Sequence, residues 1–267
     1  ASLFEIGKTG VQAYRQALSV TGQNIANINT DGYNKRSADI NEVAGVSGGP
    51  TNVSDSSGLG VRVTNVRRSF DAYLSDKTRS SQSDYEMLND FVSKLSDLEN
   101  MLLPSGSDLG VFIGRFFDSL QEIASNPDSV SARTIALESG KALVSSFNSY
   151  DDQLKNFKSG ALRQIDVKNT EVNLYINQLV QVNKLIATSG SKDASNDVLD
   201  ARDKLLKDLS KLMNFTVDYS KTGEAIVRLG DSGNGAYLVN RNKGAIVSSV
   251  SDGKNVSLVV NNDGVKT

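Results

Sequence analysis

The sequence predicts a mainly α-helical protein with a β-rich outer part: a long-helix, coiled-coil-like bundle followed by a truncated β domain. Three observations predict this class. Apolar residues recur at intervals of three, four or seven through most of the first 213 positions, which is the spacing of packed helices. The 267 residues include only 3 prolines, the last of them Pro127, so long helices can continue beyond that point. After residue 214 the apolar period changes to two, as in strands.

The composition excludes several classes of function. The formal net charge is −2, from 29 basic and 31 acidic residues, whereas a nucleic-acid-binding protein would carry a basic excess. The absence of cysteine and histidine excludes disulfides, zinc sites built on these residues, thiol nucleophiles and imidazole-based triads. No run of 18 apolar residues exists, so membrane insertion is not expected, and the N-terminus does not look like a secretory signal peptide.

Residues 1–33 are predicted to form a helix that packs on other helices. Over residues 3–29, two series with a spacing of seven are offset by three, as in the a and d positions of a helical seam. Gly32 can take the left-handed conformation that ends a helix. A single helix cannot bury such a stripe on itself, so we expect contacts between subunits, although an ordinary core helix would give the same pattern. The predicted packing residues are Phe4, Val11, Tyr14, Leu18, Ile25 and Ile28.

Residues 34–79 are predicted to be an extended linker with short strands. The stretch 45–60 is rich in glycine and serine and favours a loop, whereas 60–66 alternates valine with polar residues, as in a strand. Small basic clusters occur at 35–36 and 66–68. We interpret them as a solvated face or as a face that forms salt bridges between subunits.

Residues 80–213 are predicted to form a bundle of long helices. Stop signals follow the first two helices, at Pro104 and at Asn126–Pro127. The third helix, from about 129 to 187, would span about 85 Å at 1.5 Å per residue, which suits a rod-shaped bundle better than a compact enzyme. The apolar residues that recur every seven positions in its second half are Ile165, Val172, Leu179 and Ile186.

A further helix is predicted at 198–212, with its leucines buried. Acidic residues placed four positions before lysines predict two surface ion pairs, each worth about 0.3 kcal/mol. The predicted pairs are Asp200–Lys204 and Asp203–Lys207. Asp200, Arg202 and Asp203 could be acid–base groups, but their helical spacing with leucines between them favours a plain polar face.

Residues 214–267 are predicted to begin a β-rich outer domain. Alternating apolar residues indicate strands near 215–219 and 225–229, joined by a turn at 221–223, with three more strands further on. GDSGNG at 230–235 superficially resembles a calcium loop, but its oxygens lack EF-hand spacing, so we predict a hairpin turn. No phosphate-binding glycine motif occurs. We therefore predict no catalytic residue, no cofactor and no metal site, and the protein is not expected to be an enzyme.

The stretch SVTGQNIANINTDGYNKRS at 19–37 resembles the N-terminal motif of bacterial flagellar axial proteins, which include rod, hook and hook-associated proteins. Three later stretches, 58–74, 116–133 and 198–212, look like the hook-associated family that forms the junction between hook and filament. Members of that family end in a second long helix that is missing here, so the chain is expected to be an N-terminal portion. The matching motif residues are Asn24, Ala26, Asn27, Thr30, Gly32 and Tyr33.

The resemblance implies a structural, self-assembling protein of the bacterial flagellum, secreted and located at the hook–filament junction. Its implied partners are copies of itself in a ring or tube, the hook protein, the third hook-associated protein and the flagellar type III export apparatus. Neither nucleic acid nor membrane insertion is implied. In this family the helix of residues 1–33 belongs to the inner tube.

The asparagines of the motif suggest a way to set register in such a tube. Amides at Asn24 and Asn27 could bond to neighbouring subunits, because a wrong register would leave them buried and unpaired at about 1–3 kcal/mol each. Alternatively, Asn27 and Asn29 merely close the helix locally together with Gly32. The residues predicted to carry register or the motif are Asn24, Asn27, Thr30, Gly32 and Tyr33.

A different class of function is a coiled-coil stalk that presents a β domain as an extracellular adhesin or binding module. Such a stalk would keep its function without residues 1–33, whereas a junction protein would fail to assemble. A third class, an enzyme carried in the outer domain, would need catalytic residues beyond position 267.

Overall fold

The computed structural model describes residues 3–43, 59–102, 109–189, 194–262 and 264–266. The helices are α1 (Leu3–Ala26), α2 (Ala72–Leu102), α3 (Leu109–Ser125), α4 (Val130–Ser189) and α5 (Asn196–Ser210). The strands are β1 (Arg36–Glu42), β2 (Val61–Arg68), β3 (Phe215–Tyr219), β4 (Ala225–Leu229), β5 (Tyr237–Asn240), β6 (Lys243–Gly244), β7 (Ile246–Ser251), β8 (Val256–Asn262) and β9 (Val265–Lys266). The predicted class, mainly helical with a β-rich C-terminal part, is confirmed.

Contacts group the chain into two compact units, and neither is continuous in sequence. Unit 1 comprises Ala1–Ser81, Leu174–Ile246 and Val260–Thr267, and unit 2 comprises Gln82–Asn173 and Val247–Val259. Helices α2 and α4 therefore each contribute residues to both units. The four consecutive segments proposed from the sequence stay a prediction about domain boundaries.

Unit 1 contains an antiparallel hairpin and a four-stranded sheet. Strands β1 and β2 pair along their length, with a register shift between Asp39 and Ile40. The second sheet has the order β3–β4–β5–β6, and it contacts α4 through Gly244 and Ala225 and α5 through the Gly223 carbonyl just before β4. The fully buried apolar side chains of this region are Ile176, Leu179, Ile186, Leu206, Leu209, Val227, Leu238 and Val239. The heptad positions predicted from the second half of α4 thus supply part of the core.

Unit 2 is built from helices and a short sheet segment. Phe116 of α3 packs close to Gly140 of α4, where a Cβ would lie 3.3 Å from the ring. An open apolar groove runs between these two helices and is lined by Phe116, Leu120, Ala136, Leu137 and Val144. Four apolar residues that recur at helical spacing along α2 are exposed in this chain: Tyr85, Leu88, Val92 and Leu95.

Several element boundaries differ from the sequence-based expectation. Helix α2 begins at Ala72 rather than near 80, because the Asp71 carboxylate accepts a hydrogen bond from the Leu74 N–H at 3.0 Å and caps the first turn. Helix α1 ends at Ala26, before the predicted end of the apolar repeat. The helix stop at Pro104 and most of the predicted loop at 45–60 lie outside the described residues. Within the part of the chain that the structure describes, no helix has the length and hydrophobicity needed to cross a membrane.

A candidate assembly surface and its anchor

Helix α1 and the turn after it expose one continuous apolar face. We call this face the outer stripe, and its members are Phe4, Val11, Tyr14, Leu18, Ile25 and Ile28. Each of these six side chains is between 60% and 79% exposed. A contiguous exposed apolar surface of this kind is typical of a contact site for another protein. The structure therefore places all six residues predicted for subunit packing on one uncovered face.

The opposite face of α1 packs against the β1–β2 hairpin through small side chains. Ala13 and Val20 are buried there. Gly60, just before β2, has a φ of +97°, and a Cβ on it would lie 2.0 Å from the Thr9 Oγ1, so this close approach requires glycine. Sequence reasoning missed this inner face, although small residues at helical spacing signal it: Gly10, Ala13, Ala17 and Val20.

The side chain of Asn24 ties the end of α1 to the start of β1. Its Nδ2 donates to the Arg36 carbonyl at 2.8 Å, and its Oδ1 accepts from the Arg36 N–H at 2.9 Å. The same Oδ1 accepts a hydrogen bond from the Tyr33 hydroxyl at 2.8 Å. The motif asparagine and the motif tyrosine thus meet within one chain.

The remaining motif residues also have partners close by. Asn27 Nδ2 donates to the Gln23 carbonyl at 2.9 Å, and Thr30 Oγ1 donates to Asn27 Oδ1 at 3.1 Å. Gly32 has a φ of +86°, and a Cβ there would lie 2.8 Å from Lys204 Cβ. These contacts are local to the chain. A role of the motif in register between subunits stays a prediction.

Two arginines of the hairpin are held by carboxylates of α5. Asp200 accepts hydrogen bonds from Arg36 at 3.0 Å and from Arg68 at 2.8 Å. Asp203 accepts from Arg68 at 2.6 Å, and Asp197 accepts from Arg36 at 2.6 Å. The side chains of both arginines, Asp200 and Asp203 are only 8–11% exposed. We call these four residues the ion cluster.

The ion cluster corrects two sequence-based interpretations. The basic residues at 35–36 and 66–68 were expected on a solvated or inter-subunit face, but Arg36 and Arg68 form ion pairs inside the chain. Asp200, Arg202 and Asp203 were expected to form a plain polar face, and all three carry buried or nearly buried side chains. The arginine partners of Asp200 and Asp203 on the hairpin lie far away in the sequence, so helical spacing alone does not reveal them.

Arg202 extends the ion cluster toward the four-stranded sheet. Its guanidinium donates to Asp203 Oδ1 at 2.7 Å and to the Gly223 carbonyl at 2.7 Å. The guanidinium carbon also lies 4.4 Å from the centroid of the Tyr219 ring, a cation–π contact. Burial raises the pKa of the Tyr219 hydroxyl above its usual value.

The prediction of two ion pairs along α5 is wrong, because Lys204 and Lys207 bind other carboxylates. Lys204 pairs with Asp31 and with Asp208, both at 3.1 Å, and Lys207 pairs with Asp31 at 2.5 Å. Hydrogen bonds from Lys207 and then Lys204 lower the pKa of Asp31 from 3.8 to about 2. The segment that follows α1 is thus attached to α5 by a second, more exposed charge contact.

The ion cluster attaches the β1–β2 hairpin to α5 through charged hydrogen bonds. The buried carboxylates of the ion cluster are paired with the guanidinium groups of Arg36 and Arg68. Among the described residues no group of three or more carboxylates could hold a metal ion. The residues 230–235, which superficially resemble a calcium loop, connect β4 to β5 as a turn.

Comparison with known families decides which group of proteins this chain resembles. The family model described as the flagellar hook-associated protein FlgK helical domain matches residues 95–267, and the flagella basal body rod protein model matches residues 4–34. The chain belongs to the FlgK family of flagellar hook-associated proteins. Membership in the FlgK family confirms the resemblance noted in the sequence and places the chain among structural proteins of the bacterial flagellum.

Individual FlgK relatives are similar over most of the chain. Flagellar hook-associated protein 1 of Bacillus subtilis is 28% identical over 256 residues, which is 94% of this chain and 50% of the relative. The protein of the same name from Salmonella typhimurium is 28% identical over 229 residues, 84% of this chain and 40% of the relative. The structure of the flagellar hook junction protein FlgK from Burkholderia pseudomallei aligns with a TM-score of 0.63 at 25% identity, covering 70% of this chain and 33% of that one. This FlgK-family chain therefore spans half or less of the length of these relatives.

Proposed function

We propose that this FlgK-family chain assembles with copies of itself at the junction between hook and filament, and that the outer stripe is its main contact surface. The observation that carries the proposal is the exposure of all six stripe residues on one face of α1 and of the turn after it. A relative of known structure is named a flagellar hook junction protein, which supports the location.

The energetics favour contacts that many subunits share. Fully burying a leucine, isoleucine or phenylalanine is worth about 1.5–3 kcal/mol each, so six stripe residues represent a substantial driving force. Association costs translational and rotational freedom, so a single stripe-to-stripe contact would be weak. A closed array, in which every α1 touches several neighbours, would repeat the contact until it is stable.

The other partners follow from the same family. We propose that the assembled chain contacts the hook protein on one side and the third hook-associated protein on the other. We further propose that the flagellar export apparatus secretes it without cleavage of a signal peptide. Both statements rest on membership in the family and on the matches over most of the chain.

The test replaces two stripe residues with aspartate and compares the result with a matched surface change. The variant Leu18→Asp with Ile25→Asp is produced as the full-length protein in a motile strain that has no other copy. The control, Gln12→Asp with Ser19→Asp, adds the same charge to exposed positions of α1 outside the stripe. We expect hooks without filaments for the stripe variant in electron micrographs, and normal filaments for the control.

Two outcomes would overturn the proposal. The first is normal filaments and motility from the stripe variant at an unchanged melting temperature. The second is full surface binding activity from a chain that lacks residues 1–33, since that result would favour the stalk adhesin.

A further inference from the structure

Three asparagines on helices make the same two-point hydrogen bond with a single strand residue. Asn24 bonds to the N–H and the carbonyl of Arg36 at 2.9 and 2.8 Å. The same geometry joins two further helix–strand pairs: Asn173 to Val247, both bonds at 2.8 Å, and Asn183 to Ala225, at 2.9 and 2.8 Å. A side-chain amide carries the donor and acceptor of a peptide group, so it can replace a neighbouring strand at that position.

Asn24 differs from the other two asparagines because its partner, Arg36, also binds α5 through its side chain. The backbone of Arg36 is held by Asn24 of α1, while its guanidinium is held by Asp200 of α5 at 3.0 Å. Arg36 therefore joins the end of α1 to α5 through two different groups. The Tyr33 ring completes the joint, because its hydroxyl donates to Asn24 and its face lies 4.9 Å from the Arg36 guanidinium carbon.

Helix α1 is held near its start, where Thr9 lies against Gly60 and its Oγ1 accepts a hydrogen bond from the Val61 N–H at 3.4 Å. Its buried side chains on the inner face are Ala13 and Val20, which offer small contact areas. The segment between α1 and β1 includes Gly32, a residue with high intrinsic freedom. A second restraint at the opposite end of α1 is needed to fix its direction, and the hydrogen bonds of Asn24 supply it.

The geometry points to Asn24 as a positioning residue that fixes the direction of α1 relative to α5 before assembly and thereby aims the outer stripe at its neighbours. The inference rests on the proposed function for the role of the stripe. It assigns to Asn24 a role inside the chain in place of the amide contact between subunits. The Oδ1 of Asn24 already accepts two hydrogen bonds, which fills both of its lone pairs.

The absence of cysteine allows a direct measurement of the direction of α1. Gln16→Cys on α1 and Ala201→Cys on α5 place two spin labels on exposed positions within unit 1. Pulsed electron paramagnetic resonance on the unassembled full-length chain then gives the distribution of distances between the labels. We expect a narrow distribution in the parent and one about twice as wide after Asn24→Ala, because three restraining bonds are lost.

Two further variants serve as controls. Asn27→Ala removes an amide of the same motif that bonds to the nearby Gln23 and Thr30, and it should leave the width unchanged. Tyr33→Phe removes one of the three bonds and should give an intermediate width, so the inference stays testable even if Asn24→Ala does not fold. Exchange of the Arg36 amide hydrogen should be about tenfold faster in Asn24→Ala than in the parent, as expected for one lost hydrogen bond.

The results separate this inference from the proposed function. An unchanged width in Asn24→Ala would overturn the inference, and if filaments were also lost the amide would act between subunits. A wider distribution with normal filaments would overturn it as well, because the direction of α1 would not matter for assembly. The proposed function is tested separately: normal filaments in the variant Leu18→Asp with Ile25→Asp would contradict it.

Discussion

Helix α1 and the second half of α4 carry the same sequence pattern and have opposite surroundings. Both repeat an apolar residue every seven positions. In α4, Leu179 and Ile186 are at most 1% exposed, whereas Leu18 and Ile25 of α1 are about 70% exposed. A heptad repeat therefore indicates that a helix has an apolar face to bury. It does not indicate which surface buries that face.

The difference arises from what the rest of the chain supplies. The end of α4 lies against the four-stranded sheet, and Asn183 beside its apolar residues bonds to the strand backbone of Ala225. Helix α1 lies beside the β1–β2 hairpin, and the hairpin covers the face with Ala13 and Val20. The large apolar residues of α1 stay exposed.

The largest expected effect concerns the hairpin that covers the inner face of α1. Arg68→Met removes one partner of a buried ion pair and leaves Asp200 and Asp203 short of positive charge. We expect a loss of about 3–5 kcal/mol in the free energy of unfolding, measured by urea denaturation. The neighbouring Arg67 is 67% exposed and pairs with Asp39, so Arg67→Met should cost less than about 1 kcal/mol. Equal losses from the two variants would show that burial of the charges does not matter.

A smaller loss of stability is expected when one leucine of each heptad repeat is replaced by alanine. Leu179→Ala should lower the free energy of unfolding by about 3 kcal/mol, because it opens a cavity in a packed core. Leu18→Ala, the same change on the exposed stripe, should alter it by no more than about 0.5 kcal/mol in the unassembled chain. Matching denaturation curves for the two variants would contradict the difference in burial, since Leu18 would then be covered by its own chain.

The smallest effect concerns pH and the segment that follows α1. Asp31 has a folded pKa of about 2, below its ordinary value of 3.8, so it stabilises the folded state above about pH 4. That contribution is lost as the pH falls through the folded value of about 2. The carboxylate is 50% exposed, so screening limits the effect to less than about 1 kcal/mol. Asp31→Asn should be less stable than the parent at pH 6, and the difference should approach zero as the pH falls below about 2, whereas a constant difference would contradict the assignment.

Local patterns in the sequence predict the elements well and their partners poorly. The helices of residues 130–189 and 196–210, the strands near 215 and 225, and the outer stripe all follow from apolar periods of 3.6, 3.5 or 2. The ion cluster could not be found in this way, because Arg68 and Asp200 are separated by 132 positions along the chain. The same holds for Gly60, whose requirement for glycine comes from its approach to Thr9.

The motif asparagines illustrate the same limit at short range. An amide among apolar residues at Asn24 signals a specific polar partner, and the sequence leaves open whether that partner is a sibling molecule or the strand that begins at Arg36. Asn27 bonds within its own turn, which agrees with local closure of the helix. Only distances between atoms distinguish a partner in a sibling molecule from a partner in the same chain, since either would satisfy the donor and the acceptor of the side-chain amide.

The discontinuous build of unit 1 imposes an order on how the nascent protein can fold. Ribosomes add about 5–20 residues per second, so the 92 residues from Gln82 to Asn173 take about 5–20 s to synthesise. During that interval Arg36 and Arg68 have emerged while Asp200 and Asp203 do not yet exist. The contacts of Arg36 and Arg68 with α5 can therefore form only after the residues of α5 have been synthesised.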